Sequence, residues 1–169
     1  MTTATTDLEL LCRELYPQLV GLVSLHGASR AQSEDIAQDA LTKAVQHWRR
    51  VSRMDNPAGW IVRVALNAAK SAGRRRTTEA RALERLAHRP ETGTGDAPEH
   101  AAERVEVVRA LEQLPNRQRE VVLLRFFLGF NVAETAQIMR CAEGTVKSNT
   151  HRALEQLRNG KLAASLEEH

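Results

Sequence analysis

The sequence predicts an all-α protein built from two small helical units, on three observations. Apolar residues recur at helical spacing almost throughout, and no convincing alternating strand pattern appears. Strong helix starts precede those runs: Ser29 with Gln32, Asn56 with Pro57, and Asn131 ahead of VAETAQIM. Residues 77–100 contain HRPETGTGDAPEH, whose glycine and proline density and lack of an apolar stripe mark a flexible connector.

The first helix is expected from about Asp7 to Leu25, with Leu8, Leu11, Leu15, Leu19, Leu22 and Val23 on one stripe and Gly27 closing it. A second runs from the Ser29 capping box to about Arg50. On its wheel Ile36, Ala40, Leu41, Ala44 and Trp48 point inward, while Asp35, Gln38, Asp39, Thr42 and Gln46 point outward. The third opens at Asn56-Pro57 and is expected to end near GRRR, residues 73–76. Arg63, Asn67, Lys70 and Arg74 fall at i, i+4, i+7 and i+11, making one polar-basic stripe, with Trp60, Ile61, Val64 and Ala68 facing roughly the other way. Trp48 and Trp60 serve equally well as core anchors, and Arg74 to Arg76 as a solvated helix end where cations oppose the dipole.

Past the connector, a helix is expected from Ala101 to Leu114. Pro115 then opens another, carrying Val121, Val122, Leu124 and Phe127 and stopping near Gly129. Asn131 caps VAETAQIM, and RCAEG turns the chain into EGTVKSNTHRALEQLR. On that last wheel Val146, Thr150, Ala153, Leu154 and Leu157 form the packing stripe, and Lys147, Ser148, His151, Arg152 and Glu155 face away. The tail, residues 161–169, is given no functional weight.

The charge is uneven although the net value is only +3. Residues 1–76 hold 11 Lys/Arg against 7 Asp/Glu, residues 77–100 hold 3 against 5, and residues 101–169 hold 10 against 9. Segment 140–161 concentrates 5 basic and 2 acidic residues, so basic regions flank an acidic connector. Cys12 and Cys141 lie far apart, outside any disulfide or metal-ligand spacing, which fits a reduced cytosol. MTTATTDLEL lacks the basic flank and apolar core of a signal peptide, and VVLLRFFLGF is too short and is broken by Arg125, so no membrane association is expected.

The final helix pair reads as a helix-turn-helix, in which the second helix enters the DNA major groove and the first braces it. Arg152 can fork onto guanine, Lys147 can meet guanine or phosphate, and Ser148 and His151 add shorter hydrogen bonds. A packing corner with a solvated outer face would show the same charges; Ala136 at the helix crossing and Gly144 before the last helix favour the DNA-binding reading.

The stretch LEQLPNRQREVVLLRFFLGFNVAETAQIMRCAEGTVKSNTHRALEQLR resembles region four of bacterial RNA polymerase sigma factors of the extracytoplasmic-function group. The resemblance implies that Lys147, Ser148, His151 and Arg152 read the −35 promoter element, the same residues the wheel turns outward. SEDIAQDALTKAVQHW is similar to the polymerase-binding helix of region two, which implies that Asp35, Gln38, Asp39, Thr42 and Gln46 dock on core polymerase. NPAGWIVRVALNAAKSAGRRR resembles the part that opens and reads the −10 element, with Trp60, Arg63 and Asn67 at family-like places; the stripe adds Lys70 and Arg74 along a phosphate backbone, and loop 50–59 is the candidate pocket for a base pulled from the stack.

In domain terms the resemblance implies a region two unit over 7–76, an acidic linker over 77–100 that threads near the polymerase active cleft and RNA exit path, and a region four unit over 101–160. Implied partners are core RNA polymerase, through the clamp of its largest subunit and the flap region, and promoter DNA; an anti-sigma protein is common in the family. Two positions depart from the family's turn. Arg140 stands where glycine is common, at a strain of about 1 kcal/mol if left-handed, and Ala142 stands where a capping side chain is common, at about as much again. Asn149 and Thr150 also depart, and Thr150 weakens the packing face.

The competing reading is a stand-alone helix-turn-helix regulator of duplex operators, which leaves the N-terminal unit unexplained. An enzyme is not expected: the sequence has no clustered His, Cys and carboxylates, no phosphate-cradling glycine loop and no nucleophile elbow. No metal or cofactor is expected, and His26, His47, His88 and His100 read as surface or structural residues.

Overall fold

The computed structural model describes residues 2–84 and 98–167, and every described element is helical. The chain divides into two compact units, Met1–Gly95 and Asp96–His169.

In the first unit α1 (Thr2–Leu25), α2 (Arg30–Gln46) and α4 (Pro57–Glu84) pack on one another, and α3 (Trp48–Val51) is a single turn beside α2. Leu15, Leu19, Leu22 and Val23 of α1 meet Ala37, Ala40 and Ala44 of α2 and Ile61, Val62, Ala65, Leu66 and Ala69 of α4 in a buried core. The alanines let helix axes approach closely while the leucines fill the space between them. The capping box forms as expected: Gln32 N–H reaches Ser29 Oγ at 3.3 Å and Ser29 N–H reaches Gln32 Oε1 at 3.4 Å. Gly27 takes the positive φ, 94°, that ends α1.

Several expected boundaries move. Helix α1 starts at Thr2, five residues before Asp7. The second expected helix breaks at His47, so Trp48 opens α3, half-buried, and the completely buried Val51 anchors that turn. Helix α4 runs past GRRR to Glu84, placing Arg74 to Arg76 inside it; Arg76 is half-buried and donates to the Gly27 carbonyl. The wheel for α4 was also turned slightly: its core face is Ile61, Val62, Ala65, Leu66 and Ala69, and Trp60, Val64 and Ala68 are half-buried at its edges. The connector expected over 77–100 is helical at both ends, and residues 85–97 lie outside the described residues.

The second unit comprises α5 (Pro98–Glu112), α6 (Asn116–Val122), a π-helical turn (Leu123–Phe127), α7 (Val132–Met139) and α8 (Glu143–Glu167). The expected tail therefore continues α8. Its core includes Val121, Ala136 and Val146, flanked by half-buried Val132, Met139 and Cys141. Arg119 clasps the end of α5: its guanidinium donates to the carbonyls of Leu111 at 2.7 Å, Glu112 at 2.9 Å and Leu114 at 3.3 Å. Burial lowers the Arg119 pKa, opposed by Glu112 and Glu120. The π turn widens the helix, with Leu128 N–H on the Leu123 carbonyl at 3.0 Å. Leu123 and Leu124 both point inward as a result, and Phe126 and Phe127 stay exposed.

Candidate nucleic-acid interface

Helix α8 is positioned by α6 and α7, which both pack against it. Asn131 starts α7 with a reciprocal cap, Glu134 N–H to Asn131 Oδ1 at 2.9 Å and Asn131 N–H to Glu134 Oε2 at 2.8 Å. Val146 and Ala153 are fully buried beneath α8, with Thr150 and Leu157 half-buried beside them. Leu154, expected on this stripe, is 40 % exposed. It lies about 80° round the helix from Val146, at the stripe's edge, so it is only partly covered.

Lys147, Ser148, His151 and Arg152 are all exposed on the opposite side. The Ser148 hydroxyl donates to the Thr145 carbonyl at 3.1 Å, so in this rotamer its oxygen faces outward as an acceptor. Thr150 answers the weakness expected of it by donating to the Val146 carbonyl at 2.8 Å, and Asn149 turns its amide back to the Thr145 carbonyl at 2.8 Å. The far part of α8 is tied to the chain just past the end of α5, where Gln156 Nε2 donates to the Gln113 carbonyl at 2.9 Å. The result is a braced helix presenting cationic and hydrogen-bonding groups outward, which is what reading base edges in a groove requires.

In the first unit, Asn67 and Arg74 are exposed on α4, and Trp60, Arg63 and Lys70 are half-buried. Arg74 Nη2 donates to Ser71 Oγ at 3.0 Å. The loop read as 50–59 contracts to Ser52–Asn56 between α3 and α4. Asn56 Oδ1 accepts from Gly59 N–H at 2.7 Å, and a β-carbon at Gly59 would lie 2.8 Å from Asn56 Nδ2, so glycine here lets the capping side chain fold over the helix start. Arg49, Arg50 and Arg53 are exposed around buried Val51 and add basic groups that the i, i+4 stripe left out; the signal was present in WRRVSR.

Asp35, Gln38, Asp39, Thr42 and Gln46 are all exposed on α2, opposite buried Ser33, Ala37, Ala40 and Ala44. Among the described residues neither Asp35 nor Asp39 forms an ion pair, whereas Glu34 pairs with Arg30 at 3.0 Å. Val45, 53 % exposed, stands at the edge of the same face, about 20° round the helix from Gln38, an apolar spot among the polar residues. No three His, Cys, Asp or Glu side chains gather as a metal would need, among the described residues. Nor is any described helix long and apolar enough to cross a membrane.

A helix-turn-helix unit joined to a separate helical unit with a polar-basic stripe is the architecture of a DNA-directed transcription factor. Comparison with known proteins makes this specific. Residues 11–79 match the family model for sigma-70 region 2, and residues 104–157 match that for sigma-70 region 4. The RNA polymerase sigma-E factor of Streptomyces coelicolor is 33 % identical over 135 residues, 80 % of this chain and 75 % of that protein. The ECF RNA polymerase sigma factor SigL of Mycobacterium tuberculosis is 33 % identical over 132 residues, 76 % and 73 % of the two chains. In fold, the sigma factor RpoE from Bartonella quintana, solved in complex with the anti-sigma factor NepR, is similar at a TM-score of 0.74 and 24 % identity, over 94 % of this chain and 96 % of that one. The chain belongs to the sigma-70 family of RNA polymerase sigma factors, in its extracytoplasmic-function group. That membership favours a sigma factor over a stand-alone operator-binding regulator, because it accounts for both units. The family is not a class of enzymes.

Proposed function

We propose that this sigma factor divides its work between surfaces that do not overlap. The exposed face of α2, carrying Asp35, Gln38, Asp39, Thr42 and Gln46, docks on the clamp of core RNA polymerase. Trp60, Arg63, Asn67, Lys70 and Arg74, with the loop before α4, hold and read the opened −10 strand through phosphate contacts and base capture. Lys147, Ser148, His151 and Arg152 of α8 read the −35 element. The observation that carries this reading is the exposure of all four α8 residues on a helix braced from behind by α6 and α7.

The protein performs no chemistry itself in this reading, requires no cofactor, and acts in the cytoplasm where core polymerase and promoters are. The flap region and an anti-sigma protein are further candidate partners, and the acidic connector follows a route through the polymerase otherwise taken by nucleic acid. In-vitro transcription from genomic fragments, with purified bacterial core polymerase with and without the protein, tests the assignment. Discrete new transcripts sharing two upstream elements are expected. No added transcripts, with tight duplex binding by the protein alone, would overturn it.

A further inference from the structure

Among the described residues, Arg140 is the one non-glycine residue with left-handed backbone, φ 52° and ψ 54°. It occupies the turn between α7 and α8, where Cys141 N–H bonds the Ala136 carbonyl at 3.0 Å and Arg140 N–H bonds the Gln137 carbonyl at 3.3 Å. This paired closure is the Schellman motif, whose left-handed position suits glycine because a β-carbon there crowds the following carbonyl oxygen. The chain thus keeps a long cationic side chain where its own backbone disfavours one, and such residues gather where the side chain has a function.

The surroundings indicate which function. Arg140 is exposed and lines a shallow hollow between α7 and the start of α8, together with Ala133, Gln137 and Glu143. Among the described residues its guanidinium forms no hydrogen bond or ion pair, with Glu143 or with any other side chain. It is permanently charged and carries five donors in a fork that fits a phosphate. Just beyond the turn, α8 turns Lys147 and Arg152 outward, within a segment where 5 basic residues outnumber 2 acidic ones. A side chain in the turn stands beside the groove that α8 enters, where the sugar-phosphate backbone runs, and contacts there position a protein without reading bases.

We propose that Arg140 is a DNA-contacting residue that grips a backbone phosphate of the upstream promoter element and fixes how α8 enters the groove. The inference rests on α8 reading that element. Arg140→Asn and Arg140→Gly both relieve the backbone while removing the charge. In the full chain, amide exchange in α7 and α8 should slow about fivefold. In holoenzyme, promoter affinity should nonetheless fall about three- to tenfold, equally for promoters with altered −35 bases, and the salt slope should drop by about 0.9. Unchanged affinity and slope, or faster exchange together with weaker binding, would overturn the proposal. Lys147→Ala and Arg152→Ala measured in parallel separate the two levels. If they weaken promoter binding and the Arg140 variants do not, only this proposal fails; if none of the variants has an effect, the α8 reading fails with it.

Discussion

The two units hold themselves together by different means. The N-terminal unit relies on long helices and a continuous apolar interior, in which Leu19, Leu22, Ile61 and Val62 are completely buried against alanines of α2 and α4. The C-terminal unit packs the short α6 and α7 against the long α8 around a smaller core and depends on polar fastenings: the Asn131–Glu134 cap, the Arg119 clasp on three carbonyls, and the Gln156 tie to Gln113. Apolar burial tolerates a polar outer face because nothing on that face is needed for folding. In a unit fastened by caps and clasps, shape instead depends on particular hydrogen bonds, and a strained turn such as that at Arg140 sits among them.

Mutations can sharpen this contrast. Leu22→Ala should be the most damaging, lowering stability by about 3 kcal/mol through lost burial and a cavity. Hydrogen exchange should locate that loss in α1, α2 and α4 and leave α8 unchanged. Arg119→Ala should cost about 2 kcal/mol, since it strands part-buried carbonyls at the end of α5. Denaturant unfolding should place that loss in the C-terminal unit, and Arg119→Lys should recover only part of it because an ammonium cannot span the same carbonyls. Arg152→Ala should leave stability unaltered and weaken holoenzyme binding to the promoter by about 1–3 kcal/mol, with relaxed preference at one −35 position. Asn131→Ala should cost about 1 kcal/mol of C-terminal stability and act on promoter binding only through that loss. Equal spreading of these effects across both units would break the comparison.

Much of this was legible in the sequence, because helix periodicity and caps are local. Ser29, Asn56 and Asn131 each begin a helix as their side chains dictate. The left-handed backbone at Arg140 was only conditional in the sequence, drawn from the family's glycine at that position, and the structure supplies it at φ 52° and ψ 54°. The exposed residues of α2 and α8 fell on the outward side because a wheel needs only one well-placed core residue to orient it. What escaped depends on distant contacts. The break at His47 follows from Val51 being drawn into the core, and the π turn at Leu123–Phe127 lets consecutive leucines both face inward. Neither has a local sequence signature. Arg76, read as a solvated helix end, instead holds the Gly27 carbonyl 49 residues away in the chain. Val45 was passed over because an apolar residue on a polar face carries no pattern of its own.

The central claim is that polymerase docking and −35 reading occupy separate surfaces of one chain, and one measurement addresses it directly. Core polymerase binding and −35-dependent promoter binding would be measured for a variant altered at Asp35, Gln38 and Asp39 and for a variant altered at Lys147 and Arg152. The first variant should lose core binding, with amide exchange in α8 unchanged. The second should bind core normally and lose its preference for the −35 element. If both variants failed at the same step, the division between the α2 and α8 surfaces would be contradicted.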